Sequence, residues 1–205
     1  EDIAEDYRKL PQMTARWTGD KEWMGLTPVF LSQLSHFDSD IQRVTGQRLY
    51  NEFGLTKPTN WTAGFFTPTV KYRSVNYELD RPFTDVDTSP SAGSLMASLD
   101  GGLIFERQTS LFGQSMTQTL EPRVYYLYSQ FEEQAFQPDF DSAELTFSYG
   151  QLFRDTRFSG NDRLDDANQL SVGVTSRYFD NETGEEKLSA SLGQIYYFRD
   201  REVRL

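Results

Sequence analysis

The chain has 205 residues, no cysteine and a formal net charge of -11. These exclude disulfide staples and thiolate catalysis and argue against a nucleic-acid partner, whose phosphates demand a basic stripe. Aromatic residues make up 15% of the sequence while mean hydropathy is only -0.62, so apolar side chains are interleaved with polar ones and no run approaches the roughly 18 apolar residues of a membrane helix.

Glu1 to Asp6 is acidic and has neither the cationic nor the apolar region of a secretory signal. A first strand is predicted over Gln12 to Thr18, where Met13, Ala15 and Trp17 alternate with Gln12, Thr14 and Arg16. Gly19 to Lys21 makes a short turn. Leu26 to Phe37 is a second strand with poor alternation, and Asp38 to Gly46 is a polar loop. The third strand, Gln47 to Lys57, sets Leu49, Phe53 and Leu55 opposite Tyr50, Glu52 and Gly54. Pro58, Thr59 and Asn60 read as a tight turn.

Thr62 to Leu79 carries a fourth strand, with Phe66, Pro68, Val70 and Tyr72 against Thr67, Thr69, Lys71 and Arg73. Asp80 to Gly93 is a longer loop. The fifth strand runs from Ser94 to about Gln108, with Leu95, Ala97, Leu99, Leu103 and Phe105 on one side and Ser98, Asp100 and Glu106 on the other. After a short link at Ser110 to Gln114, the sixth strand spans Thr117 to Tyr128. Phe131 to Asn168 is the longest connection. A long hairpin closes the chain: Leu170, Val172, Val174 and Tyr178 alternate with polar residues up to Asp180, Asn181 to Gly184 turns, and Leu188, Ala190 and Leu192 continue towards Phe198. That last run suits a tilted strand crossing a bilayer, where soluble strands average about 5 to 6 residues.

Links after odd-numbered strands are short and those after even-numbered strands are long. Outer-membrane barrels sort their connections this way, with short periplasmic turns and long extracellular loops. The fold expected is all-β, an antiparallel transmembrane β-barrel segment of about eight strands from a larger barrel, with residues 1–205 as a partial barrel domain and an extracellular loop at about 131–168. The same parity places the outer ends of the first and eighth strands on the extracellular side, as expected of a cut-out segment. Pro28, Pro68 and Pro122 sit inside strands, where they predict bulges or locally weakened pairing.

Charges on the polar strand faces are Arg16, Glu52, Lys71, Arg73, Asp100, Glu106, Glu121, Arg123 and Arg177. In a barrel they face the lumen, either pairing to solvate a wet interior or guiding an anionic substrate. The one histidine, His36, lacks any nucleophile context that would make it catalytic. Asp162, Asp165 and Asp166 lack calcium-loop spacing and read as a solvated acidic loop. The long connection also holds Phe131, Phe136, Phe140, Phe147, Tyr149, Phe153 and Phe158. So many aromatics predict a folded loop packed on the lumen or a partner.

Gln118-Thr-Leu-Glu-Pro-Arg-Val-Tyr-Tyr-Leu-Tyr128, Gly150-Gln-Leu-Phe-Arg-Asp155, Asn161-Asp-Arg-Leu-Asp-Asp-Ala-Asn-Gln169 with Val172-Gly-Val-Thr-Ser-Arg177, and Gly193-Gln-Ile-Tyr-Tyr-Phe198 together resemble the LptD family of lipopolysaccharide-assembly outer-membrane proteins. Tyr7 to Gln12 resembles it more loosely. The resemblance implies an interior segment of a very large barrel in the Gram-negative outer membrane, whose partners are lipopolysaccharide, outer-membrane lipid, the lipoprotein plug LptE in the lumen, and the periplasmic Lpt bridge reached through a jelly-roll. The jelly-roll, the family's cysteines and the lateral seam are missing from this stretch. The resemblance also implies a plug-contacting loop, placed here at Gly150, Leu152, Phe153, Arg154 and Asp155. The function implied is translocation without covalent chemistry or a cofactor. An outer-membrane hydrolase, a passive porin and a soluble β-sandwich binding module are the alternatives.

Overall fold

The structure, a computed structural model, describes residues 7–20, 24–40, 44–80, 87–111 and 113–205. The acidic stretch Glu1 to Asp6, Lys21 of the first turn, residues 41–43 and 81–86 of two loops, and residue 112 of a turn lie outside the described residues. The strands are β1 (Arg8–Thr18), β2 (Thr27–Asp38), β3 (Gly46–Thr56), β4 (Thr59–Trp61), β5 (Gly64–Leu79), β6 (Ser91–Leu103), β7 (Phe105–Leu111), β8 (Gln114–Ser129), β9 (Ala167–Asp180) and β10 (Glu186–Tyr197). They form one antiparallel sheet in the order β1-β2-β3-β5-β6-β8-β9-β10, with β4 on β5 and β7 on β8. Each long strand pairs with the next in sequence, the meander of a barrel wall. The sheet is open between β1 and β10.

Alternation decides which side chains face out. Leu95, Leu99, Val70, Val124, Val172 and Leu188 share one face and are all exposed, as is Leu192 at 75%. A β-sandwich would bury these residues against a second sheet, and none covers them. This apolar surface suits lipid, and the fold is a barrel segment. The opposite face carries the charges and is where burial concentrates.

Ten strands form where eight are predicted because two predicted strands are interrupted rather than ended. β4 continues β3, and β7 continues β6, with the register on β5 and β8 unchanged across each gap. The first gap lies opposite Pro68, whose carbonyl still accepts the Lys57 amide at 3.0 Å while its own nitrogen has no proton to return. The second gap lies opposite Pro122. Pro28 likewise accepts from Gly19 at 2.9 Å where the β1–β2 ladder stops. The prolines weaken pairing locally and shift no register. The true register shifts fall elsewhere, between Lys9 and Gln12 beside Pro11 and between Glu186 and Leu188.

The tight turn read at Pro58 to Asn60 is therefore corrected: the chain stays extended to Trp61, and residues 62–63 reverse it, with Trp61 paired to Gly64. Pro58 removes a ladder donor without bending the strand back. Residues 62–63 and 181–185 close one rim, while 130–166 cross the other. The parity fails for the first pair, since residues 19–26 are no shorter than residues 39–45.

Candidate functional site

Cross-strand partners in an antiparallel ladder point to the same face. Register thus carries a row across the sheet from Arg16 through Leu31, Glu52 and Arg73 to Ser94. Lys71 lies diagonally from Glu52, and their charges approach to 3.0 Å. Arg123 grips Asp100 with two nitrogens, at 2.9 and 2.6 Å. Arg177 stands 3.6 Å from Glu121. The structure thus places Arg16, Glu52, Lys71, Arg73, Glu121, Arg123 and Arg177 on the face opposite the exposed apolar one. His36 sits beside Gln47 on β2 with its side directed oppositely to buried Ser35.

Residues 130–166 fold back over this face. Their anchor is the run Asn161 to Asp166, where Asp162 has no exposed surface. Its carboxylate accepts from Arg48 at 2.5 Å, Tyr77 at 3.1 Å, the Phe140 and Asp141 amides at 3.0 and 2.8 Å, and Ser142 at 3.0 Å. Arg48 itself has no exposed surface and also donates to both oxygens of Asp141, at 2.5 and 3.1 Å. Asp165 receives the Arg157 amide and Arg201, each at 2.8 Å, and its carbonyl accepts from Arg73 and Ser129. Asp166 accepts the Glu202 and Val203 amides. Gln134 bonds Leu164 at both its amide and its carbonyl. The acidic cluster read as solvated is therefore corrected: its three carboxylates are buried and each is met by cations or amides, as a carboxylate removed from water requires.

Arg48 was absent from the predicted set, although strand alternation puts it on the face of Tyr50 and Glu52. Phe140 completes the seat, stacking on Phe37 with centroids 4.4 Å apart within a buried cluster containing Val44, Val75, Tyr77 and Leu164.

A second attachment is a 3₁₀ turn, Tyr149–Phe153. Gly173 and Gly193 are direct partners across β9–β10, and together they leave a notch in the inner face. A Cβ at Gly193 would lie 2.3 Å from Leu152, and one at Gly173 would lie 2.7 Å from the Tyr149 hydroxyl. The turn fits because both positions lack side chains. Leu152 is buried in this notch, Phe153 lies beneath the Arg123 guanidinium at 4.2 Å, and Asp155 pairs with Lys71 at 3.0 Å. Of the predicted loop residues, Gly150 and Arg154 remain exposed.

Electrostatics hold the loop down. Burial acts to raise the Asp141 carboxyl, but bonds to Arg48 and Lys9 outweigh it and hold the group well below the ordinary carboxylate range. Burial is similarly outweighed at Asp155 by Lys71 and Arg73, lowering its pKa. At Asp165 burial prevails over Arg201 and Arg157, and the pKa rises. Among the described residues, no group of three or more His, Asp or Glu is arranged to hold a metal ion. The charges on this face pair both within the wall, as in Arg123 with Asp100 and Arg177 with Glu121, and between wall and loop, as in Arg48 with Asp162 and Lys71 with Asp155.

A wall that is apolar outside, charged inside and overlaid by its own folded loop defines a segment of a transmembrane β-barrel. A family model described as LptD, LPS transport system D, matches residues 2–205, and the chain belongs to that family. The LPS-assembly protein LptD of Xanthomonas campestris pv. campestris (strain 8004) is 49% identical over 166 residues, 78% of this chain and 20% of that protein. The LPS-assembly protein LptD of Hahella chejuensis is 40% identical over 97% of this chain and 26% of its own length. That of Nitrosococcus oceani is 41% identical over 99% and 28%. The chain thus spans between a fifth and three-tenths of these relatives.

Proposed function

We propose that this chain forms part of the wall of a Gram-negative outer-membrane translocon that inserts lipopolysaccharide into the outer leaflet without covalent chemistry. The observation that carries the reading is the match over residues 2–205 to a family described as an LPS transport system, on a sheet whose exposed apolar face suits lipid. The charged face lines the lumen, and residues 130–166 form an extracellular loop folded inward over it. The periplasmic Lpt bridge is a further partner, reached through the family's jelly-roll. Depleting the full-length protein in its host should remove newly made lipopolysaccharide from the cell surface within a few generations. Undiminished surface labelling would overturn the reading.

The lipoprotein plug of the family, LptE, meets the exposed side of the same loop. Leu152 is buried against the chain's own wall, so the contact falls to Gly150 and Arg154 with half-buried Phe153 supporting them. Replacing Phe153 and Arg154 together by alanine should cut recovery of the lipoprotein with the full-length protein severalfold. Recovery equal to wild type would remove this contact.

A further inference from the structure

We infer that a cavity between the long loop and the chain after β10 is a binding site for a phosphorylated saccharide, an inference that rests on the transport reading for the source of its ligand. The cavity measures about 390 Å³, within the range of small-ligand sites and near its lower end. Arg154, Arg157, Arg201 and Arg204 all line it, with Phe147 and Tyr197 among its aromatic walls. Four arginines lining one recess stand out in a chain of net charge -11, although Arg201 spends both terminal nitrogens on Asp165 and Gln169 and Arg157 donates one to the Val203 carbonyl.

Two of the four are fixed from behind. Asp165 is almost wholly buried and takes Arg201 at 2.8 Å on one oxygen, with Arg157 at 3.2 Å from the other. Gln169 holds the second terminal nitrogen of Arg201 at 2.6 Å. One buried carboxylate thus positions two cations and neutralises only one. Arg154 and Arg204 are exposed, and neither guanidinium makes a hydrogen bond or ion pair with any described residue. Glu144 and Asp200 also line the cavity; Glu144 is only 3.9 Å from Arg157 across an exposed rim, where such a pair contributes little. Asp200 makes no ion pair with any described residue. The surplus is positive, and guanidinium forks match phosphate oxygens in pairs.

The aromatics supply the rest of the specificity. Phe147 is 68% exposed, an unfavourable position for a bare ring unless something packs on it. Tyr197 also lines the cavity, with Arg201 5.8 Å from its ring centroid. A sugar ring has apolar C–H faces for these walls and hydroxyls for the rim, whereas inorganic phosphate would use the arginines alone. Ile195 and Tyr197 reach the cavity from β10 on the side of the sheet that carries Gly193 and the folded loop, opposite exposed Leu192 and Tyr196. The ligand therefore arrives through the interior, and the headgroups of surrounding lipid are on the wrong side of the wall. Lipopolysaccharide, as a phosphorylated glycolipid, presents this chemistry.

The test uses the full-length protein with its lipoprotein partner in detergent. Glucosamine 1-phosphate, glucosamine and inorganic phosphate are the probes, with binding read by saturation-transfer NMR. The expected order is glucosamine 1-phosphate tightest, and each of the other two at least fivefold weaker. Arg204→Ser, which lies outside the partner contact, should weaken the phosphosugar at least threefold with partner recovery unchanged, and the charge reversal Arg204→Glu should abolish the signal. Arg204→Lys should retain part of it. Absence of phosphosugar binding to wild type, equal binding of glucosamine, or an unaltered signal in Arg204→Glu would overturn the site. Lipopolysaccharide delivery by the same wild-type sample is assayed separately: failure there with arginine-dependent phosphosugar binding intact refutes the transport reading and leaves the site standing.

Discussion

Arg48 and Asp162 face each other with no exposed side-chain surface on either. Removing Asp162 leaves Arg48 with Asp141 as its one carboxylate partner and strips the Tyr77, Ser142, Phe140 and Asp141 donors of their acceptor, a loss on the order of the 3–5 kcal/mol of a broken buried pair. Asp162→Ala should therefore destabilise the loop by that order, measured as lowered protection of residues 130–166 in amide exchange on the full-length protein. Arg48→Met combined with Asp162→Asn should cost less than the sum of the two, because neither charge is then stranded. Lys187 with Glu185 makes an equally short contact at 2.6 Å, but in open water, and Lys187→Ala should leave protection unchanged. Acid gives the complementary test. Asp141 and Asp155 are held below their ordinary values in the folded loop, so their contribution is fully present above about pH 4, the unfolded carboxylate range. It is lost progressively as pH falls from there through the folded values. Asp165, raised by burial, works in the opposite sense and softens the loss. Loop protection should stay flat from neutrality to about pH 4 and then decline; a decline beginning near pH 6 would contradict this assignment.

At the scale of elements, the 3₁₀ turn and the β9–β10 hairpin are complementary only because Gly173 and Gly193 are opposite each other. Gly193→Val should lift the turn from its notch and loosen the backbone around Arg154 and Arg157, raising the rate of trypsin cleavage there by about tenfold. Gly113, at a turn with nothing within 4 Å of an added Cβ, should tolerate alanine without any change in the loop, its positive φ notwithstanding. The strands themselves were legible in the sequence wherever one face meets only lipid, as in β5 and β9. β2 was hard to read because Phe30 and Leu34 point outward while Leu31 and Phe37 point inward, and both sets are apolar. The inward pair violates the wet-face rule because Phe37 lies under Phe140 and Leu31 packs against the same cluster. Alternation reports the solvent on each face, and a loop that supplies its own apolar cover erases that report. The Arg48–Asp162 contact was illegible for a further reason: it joins residues 114 apart in sequence, and no local pattern encodes such a pairing.

For the molecule as a whole, the exposed apolar face demands a matching solvent. Leu99→Arg or Val124→Arg, near the middle of their strands on that face, should disfavour insertion by about 2–4 kcal/mol, read as a lower folded fraction of the full-length protein in lipid vesicles across a urea series. Thr14→Arg, exposed on the opposite face, should leave the folded fraction unchanged. The distances spanned by the loop contacts also impose a schedule. When β2, β3 and β5 first pair, Arg48 and Arg73 stand on the sheet with the carboxylate and carbonyls that satisfy them still unmade or unplaced, between 92 and 114 residues downstream. Contacts of such separation form late, because a long stretch of chain must close before they reward it. A half-finished wall is thus marked chemically by bare guanidiniums, and the arrival of Asp162 and Asp165 erases the mark, so that completion of this region is recorded in its charge.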